Sequence, residues 1–241
     1  MKKITLTLAL LFGVLFTNAQ EKESEDKFDA GLSLNQDAFF GFAPMMTFSY
    51  ALSDTDAFTA YGIQWGAGTG SAWGEWTEFG IGYNKTVGDF DINPQLGFTM
   101  GSLLSSGAAQ EGIVGDGFVP NLTVNYDNDS FEGEFYFGYY GALIDNTEAG
   151  DATNNYVHYW ANFGVKASSF LSIGAHFEEL YLSGGDVNGG GSLDSADGYQ
   201  WLGPYVQFAK GNAGLRFSFG ANLNDGFAPN DFYKLSFFVN L

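Results

Sequence analysis

Apolar residues recur at every second position nearly everywhere along this chain. Over residues 90–100, Phe90, Ile92, Pro94, Leu96, Phe98 and Met100 share one face, and Asp91, Asn93, Gln95, Gly97 and Thr99 the other. The pattern returns at 118–126 and again near the end, where Leu215, Phe217, Phe219 and Ala221 alternate with Arg216, Ser218, Gly220 and Asn222. A period of two belongs to an extended strand whose faces meet different surroundings, whereas a helix would need 3.6. No comparable helical stretch exists. The same test yields twelve strands, near 28–36, 44–52, 58–66, 75–84, 90–100, 117–126, 131–143, 155–165, 170–182, 199–208, 213–222 and 231–241. Each is close to the ~9–11 residues with which a tilted strand crosses a bilayer.

The connections between these strands alternate in length. Five are tight, at 53–57, 85–89, 127–130, 166–169 and 209–212. Six are longer, at 37–43, 67–74, 101–116, 144–154, 183–198 and 223–230. Short turns on one side and long loops on the other predict an all-β fold: a single antiparallel transmembrane β-barrel of about 12 strands in up-and-down order. An even strand count puts both termini on the periplasmic side. Aromatic pairs flank the tight turns, Tyr50 with Phe58, Tyr83 with Phe90, Tyr126 with Phe131 and Phe163 with Phe170. Such rings sit well at the level of lipid headgroups. The final strand carries Tyr233, Leu235, Phe237, Val239 and Leu241 on one face and resembles the signal read by barrel-assembly machinery. That signal usually ends in Phe, and here ends in Leu241.

The N-terminus differs in kind. Lys2 and Lys3 precede an apolar run from Ile4 to Phe16, followed by Thr17, Asn18 and Ala19. This is the layout of a secretory signal peptide, and the run is too short to span ~30 Å of hydrocarbon. The expected division is a signal peptide at 1–19, a charged tail at 20–27 and the barrel at 28–241. Without Lys2 and Lys3, 7 of the 9 basic residues face 28 acids. That balance excludes nucleic acid as a partner and favours cations. The absence of cysteine removes disulfides, thiolate metal sites and Cys nucleophiles together.

Several segments carry a resemblance: QDAFFGFAPMMTFSYALSDTDAFTAYGIQW (36–65), WTEFGIGYN (76–84), INPQLGF (92–98), VPNLTVN (119–125) and EGEFYFGYYGAL (132–143). They resemble a family of uncharacterised Gram-negative outer-membrane β-barrel proteins of porin type. The similarity covers roughly half the chain and consists of strand patterns, so it implies fold and outer-membrane location rather than an activity.

If the apolar face meets lipid, the other lines the lumen, with Asp29, Glu78, Asp91, Glu132, Glu134, His158, Glu178, Tyr205, Arg216 and Lys234 as candidates. Gly80, Gly82, Gly97, Gly138, Gly164, Gly174 and Gly220 gather there too, leaving either spare volume or relief from crowding. A narrow polar channel and a lumen blocked by Tyr, Trp and inward loops both remain open. Turn geometry predicts His158 opposite Glu178, Trp160 opposite His176 and Tyr205 opposite Arg216. A His–carboxylate pair can serve acid–base chemistry, but no Ser/His/acid arrangement supplies a nucleophile. Structural hydrogen bonding is the better reading, and a hydrolase built on His158 or His176 the outsider; no enzyme is expected.

Residues 186–197 loosely follow a calcium loop, with Asp186, Asn188, Asp194 and Asp197 as oxygen ligands, but the last is Asp rather than Glu and strands flank it. Calcium is therefore the one cofactor candidate, against the plainer reading of a flexible acidic loop. The long loops hold many acids and no Lys or Arg. Beside anionic lipopolysaccharide and outer-membrane lipid, divalent cations would have to screen them. The expected function is a passive pore for small solutes or cations with mild cation preference. The alternative is a closed barrel serving as a scaffold or surface-binding module through its acidic outer loops.

Overall fold

The computed structural model describes residues 27–66, 76–101, 117–143, 152–187, 190–226 and 228–241. The expected signal peptide and nearly all of the tail lie outside them. Thirteen strands follow one another: β1 (Phe28–Asp37), β2 (Gly41–Ala51), β3 (Asp56–Trp65), β4 (Trp76–Val87), β5 (Phe90–Gly101), β6 (Gly117–Asp127), β7 (Phe131–Ala142), β8 (Ala152–Ser168), β9 (Leu171–Val187), β10 (Gly191–Leu193), β11 (Ala196–Lys210), β12 (Ala213–Asn222) and β13 (Asp231–Asn240). Every pairing is antiparallel, and β1 pairs with both β2 and β13, which closes the sheet. β10 pairs only with the end of β9, so the closed barrel has twelve strands and one short appendage. Closure leaves the twelve barrel strands without an unpaired edge, as a strand structure in hydrocarbon requires.

The two faces are inverted relative to a water-soluble protein. Along β4, Trp76, Glu78 and Gly80 are buried, whereas Thr77, Phe79 and Ile81 are exposed, Ile81 to 69%. Phe58, Phe163, Phe170 and Ile173 face outward in the same way. A contiguous apolar exterior of this size is a surface for lipid. At the end carrying the tight turns, Phe58 lies 6.0 Å from Tyr83, Phe90 4.7 Å from Tyr126 and Phe131 5.7 Å from Phe163. The expected aromatic girdle is present as ring contacts between neighbouring hairpins.

Two of the expected long connections are shorter in the structure. The segment expected as a long loop over 37–43 is a turn of only Ala38, Phe39 and Phe40 between β1 and β2. Asp37 explains it, because its Oδ1 accepts the backbone N–H of Phe39 at 2.8 Å and of Phe40 at 2.6 Å. This side-chain mimic of a turn is the usual role of Asp before a chain reversal. The segment 183–198 is largely strand as well, with β9 running to Val187 and Gly191–Leu193 folding back on it.

The tight turns are tighter than expected, which moves the register. Lys210 pairs with Ala213 around Gly211 (φ 61°) and Asn212, and Ser168 pairs with Leu171 beside a bulge. Glycine at positive φ permits the two-residue reversal at Gly211. His158 is therefore opposite Leu180, Trp160 opposite Glu178, Asn162 opposite His176 and Tyr205 opposite Ser218. The expected pairs were each displaced by two residues. An even displacement keeps every side chain on its own face.

Candidate functional site

At the loop end, the described residues fill the lumen with aromatic rings. Phe40 packs 4.9 Å from Trp65 and 5.8 Å from Trp76, and Phe39 lies 5.3 Å from Tyr199. Tyr199 stacks on Trp201 at 4.0 Å, and Trp201 on Phe232 at 4.9 Å. Tyr140, Tyr156, Leu180 and Val119 complete this cluster. Its seed is the Asp37 turn, which directs two Phe side chains inward where a longer loop would have kept them at the rim.

Below the cluster lies a cavity of about 370 Å³. Strands on opposite sides of the ring contribute to it: Ser33 and Asn35 from β1, Tyr61 and Trp65 from β3, Glu78 from β4, Asn121 from β6, Glu134 from β7, Arg216 from β12 and Lys234 from β13. Two polar networks border it. In the first, Glu178 is fully buried and is bonded by Lys234 Nζ, by His158 Nε2 at 2.8 Å and by Tyr199 Oη at 2.7 Å. His176 Nε2 is 3.1 Å from the same carboxylate without hydrogen-bond alignment, while its Nδ1 is 2.7 Å from Asn162 Oδ1. Arg216 extends this wall, pairing with Glu134 at 3.0 Å and donating to Gln207 at 2.8 Å. Trp160 Nε1 also donates to Glu134 at 2.6 Å, and Glu132 receives Tyr205 Oη at 2.9 Å and Gln207 Nε2. In the second network, Glu78 accepts from Tyr61 Oη at 2.7 Å, Trp65 Nε1 at 3.0 Å and Tyr140 Oη at 3.3 Å.

Buried charges are costly unless paired, and pairs of this geometry recover much of that cost. The inward acids Asp37, Glu78, Glu132, Glu134 and Glu178 nevertheless face only Arg216 and Lys234 as permanent cations within these networks. Both imidazoles are locked by Glu178, Tyr199 and Asn162 and packed by rings, including Phe40 and Trp160 on His158 and Phe232 on His176.

Of the residues singled out in the sequence, Glu78, Glu134, Arg216 and Lys234 line the cavity. Glu132, His158, Glu178 and Tyr205 are buried in the networks beside it. Although two positions out of direct opposition, His158 still reaches Glu178 diagonally, and Arg216 lies 5.1 Å above the ring of Tyr205. Asp91 sits apart, at the turn end, where Thr86 Oγ1 bonds it at 2.5 Å; Asp29 is exposed near the same end. Asp186 is on β9, opposite Thr153 and Ser192; Asp194 and Asp197 follow β10, and Asn188 lies outside the described residues. That segment is a hairpin rather than one continuous loop. Among the described residues, no three acidic or His side chains are gathered as metal ligands.

The inward glycines do not leave empty space at their own positions. A Cβ on Gly80 would lie 2.5 Å from the ring of Tyr61, and one on Gly97 would meet the Tyr61 hydroxyl. Tyr205 covers Gly174 and Gly164 in the same manner. A tyrosine laid across two glycines on neighbouring strands fills the wall and brings its hydroxyl to a carboxylate, Glu78 in one case and Glu132 in the other. Asp37, Tyr61, Trp65, Asn121 and Tyr136 are among the cavity residues that the sequence had not singled out. For Tyr136 the signal was parity with Glu132 and Glu134 on β7, whereas β3 and β6 carried no residue already singled out.

The barrel is similar to solved outer-membrane proteins. An outer membrane channel from Pseudomonas putida F1 superimposes with a TM-score of 0.59 at 9% identity, covering 92% of this chain and 100% of that one. The NanC porin superimposes with a TM-score of 0.53 at 7% identity, covering 88% of this chain and 100% of its own. At such identities the likeness is one of fold, that of outer-membrane porin and channel barrels. No curated protein matches the chain. The match that covers residues 1–241 in full is to a family model, and by it the chain belongs to the family of unknown function DUF6733.

Proposed function

We propose that the protein is a passive, channel-like barrel of the outer membrane that admits small solutes and prefers cations mildly. One observation carries this reading: a solute-sized cavity lined by charged, polar and aromatic side chains lies inside the closed barrel, and the described residues around it hold more carboxylates than cations. Pockets of roughly 300–1,000 Å³ suit small ligands. Glu78, Glu134 and Glu178 set the preference, with Glu132 beside them and Asp91 at the turn end. The termini lie on the periplasmic side in this reading, and the acidic loop end faces lipopolysaccharide, with divalent cations as screening partners. Barrel-assembly machinery inserts the chain through its last strand. No catalytic role is assigned to His158 or His176.

A second reading has its own support. The ring cluster around Phe40 fills the loop end of the lumen, which suits a closed barrel acting as a scaffold or binding surface through its acidic loops, with calcium at 186–197 as one ligand. Purified protein in planar bilayers separates the two. Stepwise conductance with cation preference supports the channel; no conductance favours the closed barrel, and a pore that prefers anions overturns the cation preference.

A further inference from the structure

The charges of the lumen are divided unevenly around the ring. On one side, Lys234 pairs with Glu178 and Arg216 with Glu134, and each cation also has an aromatic face. Lys234 Nζ lies 5.3 Å from the centre of Trp160, and Arg216 lies 5.1 Å from that of Tyr205. Both cations on this side are paired; of the other buried acids, Glu132 is held by Tyr205 and Gln207 away from the cavity, and Asp37 by backbone N–H groups. On the wall formed by β3, β4 and β6, Glu78 is only 2% exposed, yet its donors are two phenols and an indole, all neutral. Among the described residues, no Lys, Arg or His lies within ion-pair distance of it.

A second group on that wall is also incomplete. Asn121 donates to Tyr61 Oη at 2.9 Å and to the Val119 carbonyl at 3.2 Å, which leaves its own Oδ1 buried without a donor. Orphaned buried acceptors are rare in folded proteins and call for an explanation. Glu78 and Asn121 line the same cavity, together with Tyr61, Trp65 and Tyr136. The wall thus offers a carboxylate without a counter-charge, an acceptor without a donor, and several ring faces.

We infer that this wall is a binding site for a small organic cation, whose ammonium group faces Glu78 and whose substituents rest against Tyr61, Trp65 and Tyr136. Hard metal ions fit poorly, since Ca²⁺ takes about 6–8 oxygen ligands and Mg²⁺ a full octahedron. Aromatic faces instead suit ammonium groups, which are attracted to the ring and tolerate apolar contact. Lys234 over Trp160 is the same chemistry provided by the chain itself on the other wall. The inference deepens the channel reading by naming a solute class, and rests on it only for the route by which the cation arrives.

The test is a binding measurement that does not depend on conduction. Protein folded in detergent micelles is titrated with tetramethylammonium chloride while tryptophan fluorescence is followed, because Trp65 borders the site. Sodium chloride of equal ionic strength and tert-butanol, a neutral molecule of similar shape, are run in parallel. The expected result is a saturable response to tetramethylammonium and to neither control. Glu78→Gln, which keeps the shape and removes the charge, is expected to weaken binding about tenfold, as loss of a charged partner in a desolvated site does. Three results would overturn the inference: no saturable response, equal saturation by tert-butanol, or unchanged affinity in folded Glu78→Gln. Should that variant not fold, the contrast between the two probes on the unaltered protein decides. Binding without conductance upholds the site and removes the channel; conductance without binding does the opposite.

Discussion

The phenol ring of Tyr61 occupies the space that a side chain at Gly97 would need, two strands away in the barrel wall. The consequence is a fixed position for the Tyr61 hydroxyl, which donates to Glu78 and accepts from Asn121. Gly97→Val is expected to push the ring off the wall, break both bonds and cost about 1–3 kcal/mol, the range of overpacking changes. Gly62→Ala is the control, because nothing lies within 4 Å of a Cβ there, and its effect should stay within about 0.5 kcal/mol. Urea unfolding of both variants in lipid vesicles measures the difference. Equal stability would show that Tyr61 is not held by the glycine floor.

Lys234 and Glu178 form the deepest charge pair of the lumen, the carboxylate fully buried and the lysine largely so. Removing one partner leaves a buried charge without compensation. Lys234→Met should therefore cost about 3 kcal/mol, while Lys234→Met combined with Glu178→Gln should recover much of that loss. Unfolding free energies of the two single variants and the double variant give the coupling directly. Additive losses would mean that His158 and His176 already satisfy Glu178 without the lysine.

Much of this fold is legible in the sequence, because a barrel in lipid must show period-two alternation and closure needs nothing further. The strand count, the turn-end girdle and the inward parity of Glu78, Glu134, Arg216 and Lys234 all follow from that one constraint. What was not legible depends on single residues acting across strands. Asp37 converts an expected loop into an inward turn through two hydrogen bonds. Gly211 shortens a reversal and shifts the register by two. Neither effect alters the hydrophobic pattern. The choice between spare volume and relief from crowding at the inward glycines stayed open for a related reason: the rings of Tyr61 and Tyr205 that crowd them arrive from neighbouring strands, and pattern along one strand carries no information about them.

The turn at Asp37 also sets how tightly the loop end is filled. Phe39 and Phe40 enter the ring cluster from a turn in which the Asp37 carboxylate holds their backbone N–H groups. Asp37→Ala should loosen the turn at a cost of about 1–2 kcal/mol, and Phe40→Ala should open space beside Trp65 and Trp76. In the channel reading both variants raise single-channel conductance, Phe40→Ala more than Asp37→Ala. Conductance unchanged in folded Phe40→Ala would place the narrowest point elsewhere.

Selectivity offers a sharper test, because two of the cavity carboxylates, Glu134 and Glu78, differ in what they leave behind. Glu134 is paired with Arg216 at 3.0 Å, so Glu134→Gln exposes a positive charge on the wall as well as removing a negative one. Glu78 has no such partner, and Glu78→Gln only removes charge. Both changes should lower the permeability ratio of potassium to chloride, by roughly two- to fivefold for charges facing a confined aqueous space. The Glu134 variant should fall further and approach anion preference, and adding Arg216→Met to it should bring the ratio back toward the unaltered value. Reversal potentials under a salt gradient measure this order. If the Glu78 variant shifts selectivity as far as the Glu134 variant, Arg216 is shielded from the conducting path, and the path runs along the wall formed by β3 and β4.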